Sequence, residues 1–275
     1  MSAITLQQIK DDPNRKDIFG VLNEYIQPDS TTSASQAASA FTQSVESTDE
    51  GFFWDFWYDV FAAAEQIPHA HAAQDKLATF VRELTLMPET SDKVWGSRVW
   101  TDLPLLGACI REHMDRPFES VSAHVSFHAF VARLLHAGVS PWSETTAIWM
   151  LREALETERG EPSREVRNIK NLDEDLAVAA MYIEYAGATL VQSLVLRPAP
   201  QPDDEAQRRS QSGGKLWGGG VDGDKSKTGL KPDRWTFWGQ RFRALGDETK
   251  DKEVKELALH AAKLIEVWTQ TRLPK

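Results

Sequence analysis

The sequence predicts an all-α fold, an irregular multi-helix bundle of roughly eight to ten helices with a long flexible insert before the last helices. Three observations carry this expectation. Apolar residues recur at helical spacing along most of the chain, and no sustained strand-like alternation appears. From Arg197 to Asp233 the periodicity fails and Gly, Pro, Ser and charge take over. With 275 residues and no repeat of fixed period, the chain reads as a single helical domain, 1–275, with a disordered or mobile insert at 197–233.

A short helix is expected over Lys16–Tyr25. The run PDSTTS then offers caps for a second helix, with Ala37, Ala40, Phe41 and Val45 on one face. FFWDFWYDVF opens a third helix from about Asp49 to Ile67, whose buried stripe is Phe53, Phe56, Trp57, Val60, Phe61 and Ala64. Trp54 and Tyr58 widen that stripe, and Asp55 and Asp59 mark the exposed line. Two carboxylates one turn apart on one helix do not flank a substrate as glycosidase carboxylates must, so the stretch reads as core.

Pro68 ends that helix, and a new stripe runs through Ala73, Leu77, Phe80, Val81 and Leu84. VWGSRVWTDLPLLGACI is expected to be an ordered loop that packs Trp95 and Trp100 inward. Thr101 or Asp102 would cap the next helix, with Pro104 in its first turn. A helix through Val121, Phe127, Val131 and Leu135 stops at Gly138. Another starts with Ser140 as cap and Pro141 at its first position. Asn171–Leu196 is alanine-rich, so close approach to neighbours and a central position are expected. After the insert, Trp235, Trp238, Phe242 and Leu245 share a face. Val254 to Trp268 forms the last amphipathic helix.

Acidic residues number 41 against 31 basic ones, a net charge of −10. That surplus opposes attraction to phosphates and anionic lipid, so nucleic acid and membrane are not expected partners. No apolar run approaches the length of a membrane span, and MSAITLQQIKDD lacks the apolar run of a signal peptide. The only cysteine, Cys109, forms no intrachain disulfide. An intracellular, cytoplasmic protein is expected, with the nucleus left open.

Chemistry-bearing residues are few. His124 and His128 lie one turn apart, with His136 two turns on and Glu112 and His113 on the preceding helix. No HExxH pairing or cysteine-rich spacing accompanies them, so no metal site and no cofactor is expected. His113, His124 and His128 instead become weak candidates for a ligand pocket. Cys109 and His113 have the spacing of a thiol–imidazole pair. Set inside LLGACI, however, the thiol reads as buried and inert. GGGVDGDKSKTG lacks the glycine–lysine order of a phosphate loop and the closing glutamate of a calcium loop. Within the insert, Lys215, Leu216 and Trp217 form a weak partner-binding candidate, since a tryptophan in a glycine run gains by docking on this domain or another protein. Arg234, Arg241 and Arg243 interleave with aromatic residues as in a stacking platform. Packing of a late helix is the simpler account.

DFWYDVFAAAEQIPHAHAAQDKLATFVREL, VWGSRVWTDLPLLGACIREHMD, FHAFVARLLHAGV and AIWMLREALE together resemble a fungal family of uncharacterised helical proteins, the domain of unknown function 3632 family. The resemblance rests on the acidic-aromatic helix running into QIP, the pair Asp75–Lys76, and the tryptophan-flanked turn Trp100–Leu105. It covers roughly Phe52–Leu196 and extends to the closing helices. It implies a soluble, mainly helical protein and transfers no catalytic residue.

The functional expectation is therefore a non-enzymatic helical protein acting through protein–protein contact or as a regulatory factor. The alternative is a small-molecule-binding protein or enzyme with a pocket between helices near His113, His124 and His128. Enzymatic activity and oligomerisation stay open.

Overall fold

The structure, a computed structural model, describes residues 2–7, 18–139, 142–158, 172–196, 205–219 and 223–273. The fold is all-α. Among the described residues it holds eleven α-helices, one 3-10 turn and a hairpin of two two-residue strands. The chain divides into two compact units, Met1–Ser140 and Pro141–Lys275.

The first unit contains α1 (Ile18–Tyr25), α2 (Ala34–Ser44), α3 (Glu50–Gln66), α4 (Ala73–Leu84), α5 (Leu106–Met114) and α6 (Val121–His136). Strands β1 (Lys93–Val94) and β2 (Ser97–Arg98) lie between α4 and α5. The helix ends follow local chemistry. Ser33 and Gln36 form a reciprocal capping box at α2, and Asp49 and Ser120 cap α3 and α6. Gly138, at φ 71°, lets the Gly138 and Val139 amides return to Leu135 and Leu134, closing α6 in a Schellman motif. Helix α6 is the central element, buried nearly all round and packed against α3 and α4.

Buried amides and charges tie the helices together. Gln74 donates to the carbonyls of Ala64, Ile67 and Ser126 at 2.8–3.3 Å, satisfying the end of α3 from α4. Asp75 accepts from Arg133 Nε at 2.6 Å, and the adjacent Lys76 donates to the carbonyls of Tyr25, the last residue of α1, and of Gln27 just beyond it. The Asp75–Lys76 pair thus joins α4 to α6 with one side chain and to α1 with the other.

In the second unit, α7 (Trp142–Leu155) and α11 (Lys252–Arg272) both pack on α8 (Leu172–Leu196), and α10 (Pro232–Glu248) pairs with α11. Short α9 (Glu205–Ser210) and a 3-10 turn at Lys215–Trp217 lie between α8 and α10. Gly187 of α8 sits against the Trp268 ring of α11; a Cβ there would fall 2.1 Å from Cζ3. At Gly187 the small residue of α8 therefore serves close approach.

Three sequence expectations change here. Helix α8 is 25 residues long with a most apolar window of mean hydropathy 1.2, so by length and composition it is able to cross a membrane. It is apolar on several sides because neighbours cover it; 56% of that window is buried. Helix α5 begins at Leu106 with Leu105 before it in the left-handed region and no side-chain cap, so Pro104 precedes its first turn, and Asp102 accepts from Arg98 instead of capping it. Trp95 does not pack inward. The Ser140–Pro141 start of α7 and residues 197–204 and 220–222 of the 197–233 span lie outside the described residues.

Candidate functional site

The structure brings the predicted histidines together around Phe118. That ring stacks on His124 with centroids 4.2 Å apart, and lies 5.5 Å from His113 and 6.3 Å from His128. Phe127 closes on His113 at 4.7 Å. The grouping is thus filled by its own aromatic rings. His113 Nε2 donates to Glu65 Oε1 at 2.5 Å, while its buried Nδ1 has no hydrogen-bond partner. Among the described residues no group of three or more His, Cys, Asp or Glu is placed to hold a metal ion. Cys109 is fully buried, and burial, reinforced by Glu112, pushes its thiol up to about 12. At neutral pH it is protonated and a poor nucleophile.

The insert candidates have different fates. Lys215 pairs with Glu158 at 2.8 Å, and Leu216 borders a shallow depression with Thr157, Arg241 and Leu245. Trp217 docks on its own unit and keeps only 7% of its surface. Its ring carries Lys227 Nζ at 4.5 Å and the Arg234 guanidinium at 4.8 Å.

Arg234 and Glu156 form an ion pair with no solvent exposure, Nε to Oε1 at 2.7 Å. Trp238 Nε1 and the Gly214 amide donate to the same carboxylate, and Arg234 donates to the carbonyls of Gln211, Ser212 and Gly229. Charge and hydrogen-bonding capacity are therefore matched inside, the condition under which a buried pair is tolerated. A Cβ at Gly213 would lie 2.3 Å from the Trp217 ring, and one at Gly214 would lie 2.5 Å from Glu156. These two glycines permit close approach. Arg241 donates to Leu155 O, and Arg243 pairs with Glu266. The three arginines of DRWTFWGQRFR thus have separate partners, with Arg234 inside the unit.

A groove of about 540 Å³ runs between α10 and α11, lined mainly by apolar surface from Gly239, Ala244, Ala262 and Ile265, with Gln240 and Thr269 among its polar groups. Thr269 is already bonded to Ile265 O.

The site that sequence reasoning missed lies on the first unit. The hairpin turn Trp95–Gly96 has positive φ at both positions, 51° and 79°. Such a turn favours Asn-Gly, and a tryptophan in the left-handed region costs about 1–2 kcal/mol. Trp100, Leu103 and Leu105 also have positive φ, so four bulky residues adopt this conformation within one short segment. The surroundings hold them there. The Thr101 amide returns to Val99 O at 2.9 Å, Trp57 Nε1 donates to Pro104 O at 2.7 Å, and Asp102 accepts the Arg98 amide and guanidinium. Trp100 is buried among Phe41, Phe52, Phe53 and Phe56.

Trp95 itself is 68% exposed. Its indole donates to Glu50 Oε2 at 3.0 Å, and Trp54 donates to the other oxygen at 3.4 Å. Trp54 stacks on Tyr58 at 6.3 Å and 20°. The Arg116 guanidinium covers Tyr58 at 4.4 Å, donating to its hydroxyl and to Glu112. Burial pushes the Tyr58 phenol up to about 12, and the Arg116 hydrogen bond holds Glu112 below its ordinary range. The result is a surface strip, Trp95–Glu50–Trp54–Tyr58–Arg116, mounted on a rigid helix and a braced hairpin.

No curated protein and no solved structure matches the chain significantly. The model of a family described as protein of unknown function (DUF3632) matches residues 57–242, which include α3 from Trp57, the braced turn and the buried Glu156–Arg234 pair. The chain belongs to that family.

Proposed function

We propose that the protein is a non-enzymatic interaction module that holds a protein partner on the Trp95–Arg116 strip. The carrying observation is Trp95, exposed at the tip of a turn its side chain disfavours, while its neighbours Val94, Val99 and Trp100 are buried. Backbone strain that the surroundings maintain is concentrated at functional positions. Trp, Tyr and Arg are also the residues that dominate interface energetics. Cys109, protonated and buried, offers no competing nucleophile.

Photo-crosslinking tests this reading. A benzophenone side chain at exposed Lys93, on strand β1 two residues before an intact Trp95, used in host extract, should give a discrete protein adduct that the same group at exposed Glu256 does not give. No adduct from position 93, or the same adducts from both, contradicts it.

A second reading places a small apolar ligand in the groove between α10 and α11, whose volume falls within the range of ligand pockets. Ligand-dependent fluorescence quenching that Ala262→Trp abolishes would support it.

A further inference from the structure

We propose that the occupant of the strip is a basic peptide segment, an arginine- or lysine-rich stretch of a partner protein; this rests on the strip being the binding face. Helix α3 carries Glu50, Asp55, Asp59 and Glu65 and no basic residue. The row Glu50–Trp54–Tyr58 advances about 6 Å per step. By helical period the adjoining row, Gly51–Asp55–Asp59, adds two carboxylates to the neighbouring side of the helix. Aromatic faces bordered by carboxylates attract cations, and a guanidinium satisfies both by lying on the ring and donating at its edge.

Arg116 displays that arrangement within the chain. It lies on Tyr58 and donates to Glu112 from the same nitrogen that reaches the phenol. The next ring, Trp54, stacks beside Tyr58, and its nearest carboxylate is Glu50, which also receives the Trp95 indole. A partner guanidinium or ammonium on Trp54 or Trp95 would meet Glu50 as Arg116 meets Glu112. Phosphate backbones would face the carboxylates instead, which disfavours nucleic acid.

The test titrates the full chain, by tryptophan fluorescence and calorimetry, with a short peptide alternating arginine and glycine. A glutamate–glycine peptide and a single-stranded oligonucleotide serve as comparisons. The arginine peptide should bind and the other two should not, and added salt should weaken the binding. Trp95→Ala and Glu50→Gln should each weaken it about ten-fold or more. Glu256→Gln, which removes one exposed carboxylate far from the strip in sequence and in the other unit, should leave the binding unchanged, and circular dichroism verifies that all variants are folded.

No binding of the arginine peptide, or equal binding to every variant, overturns the inference, since the latter is general attraction to a chain of net charge −10. Oligonucleotide binding that Trp95→Ala abolishes also overturns it. The crosslink from position 93, beside an intact Trp95, separates the two levels. An adduct mapped to a segment without basic residues removes the basic partner and leaves the binding face standing. Absence of any adduct removes both.

Discussion

Arg234 lies where water does not reach, and every donor direction of its guanidinium is used by Glu156 or by backbone carbonyls of the segment before α10. Removing one member of such a pair leaves the other charged and buried. Arg234→Met is therefore expected to lower unfolding stability by about 3–5 kcal/mol, measurable as a shift in the urea midpoint. Lysine would not rescue it, because a point charge cannot reproduce the fork that serves Glu156 and three carbonyls. A loss below about 1 kcal/mol would mean that water or a rearranged neighbour replaces those bonds. The sequence did not reveal this site. Glu156 and Arg234 are 78 residues apart, and neither has a local motif. The glycines around Trp217 signal flexibility by composition, yet Gly213 and Gly214 are there because a ring and a carboxylate side chain press against them.

Among the elements, helices were the most legible. The stripe of α3, its start beside Asp49 and a cap within PDSTTS, Ser33, lie where spacing and side-chain chemistry place them, because period and capping are local properties. The hairpin was not legible. Trp-Gly is a poor signal for a turn with two positive φ values, and a tryptophan among apolar neighbours reads as core. Its exposure follows from the turn, which points residue 95 away from the face that buries Val94. The Trp95→Asn variant separates the two roles. Asparagine tolerates the left-handed region, so stability should stay within about 0.5 kcal/mol of wild type or rise by up to about 1 kcal/mol, while partner binding falls. A loss above about 1 kcal/mol in chemical denaturation would identify Trp95 as a packing residue. At the α8–α11 crossing the opposite holds. Gly187→Ala drives a methyl group into the Trp268 ring, and thermal melting should register a cost of about 1–3 kcal/mol.

On the scale of the molecule, four buried or half-buried acids share one direction of shift. Burial raises Cys109 from 9.0 to about 12, raises Tyr25 and Tyr58 from 10.0 to about 12, and holds Tyr182 well above 10.0. In each case the folded state holds the proton more tightly than the unfolded chain does. Their stabilisation is full below the unfolded values and is lost as pH rises through the folded ones. Melting temperature should therefore decline from about pH 9 upward, and Cys109→Ala should flatten the first part of that decline. An unchanged slope in that variant would mean that the thiol ionises freely in the folded protein.

All-α architecture and the aromatic core were legible throughout, because both are written in the period of apolar residues. Which tryptophans remain outside depends on backbone geometry that composition does not encode. The binding face itself is tested most directly by quantitative recovery of partner protein from host extract on wild-type protein and on the Trp54→Ala/Trp95→Asn variant, at equal folded concentration. Loss of the recovered protein with folding retained is the predicted result. Equal recovery by both would contradict the assignment of the strip as the binding face.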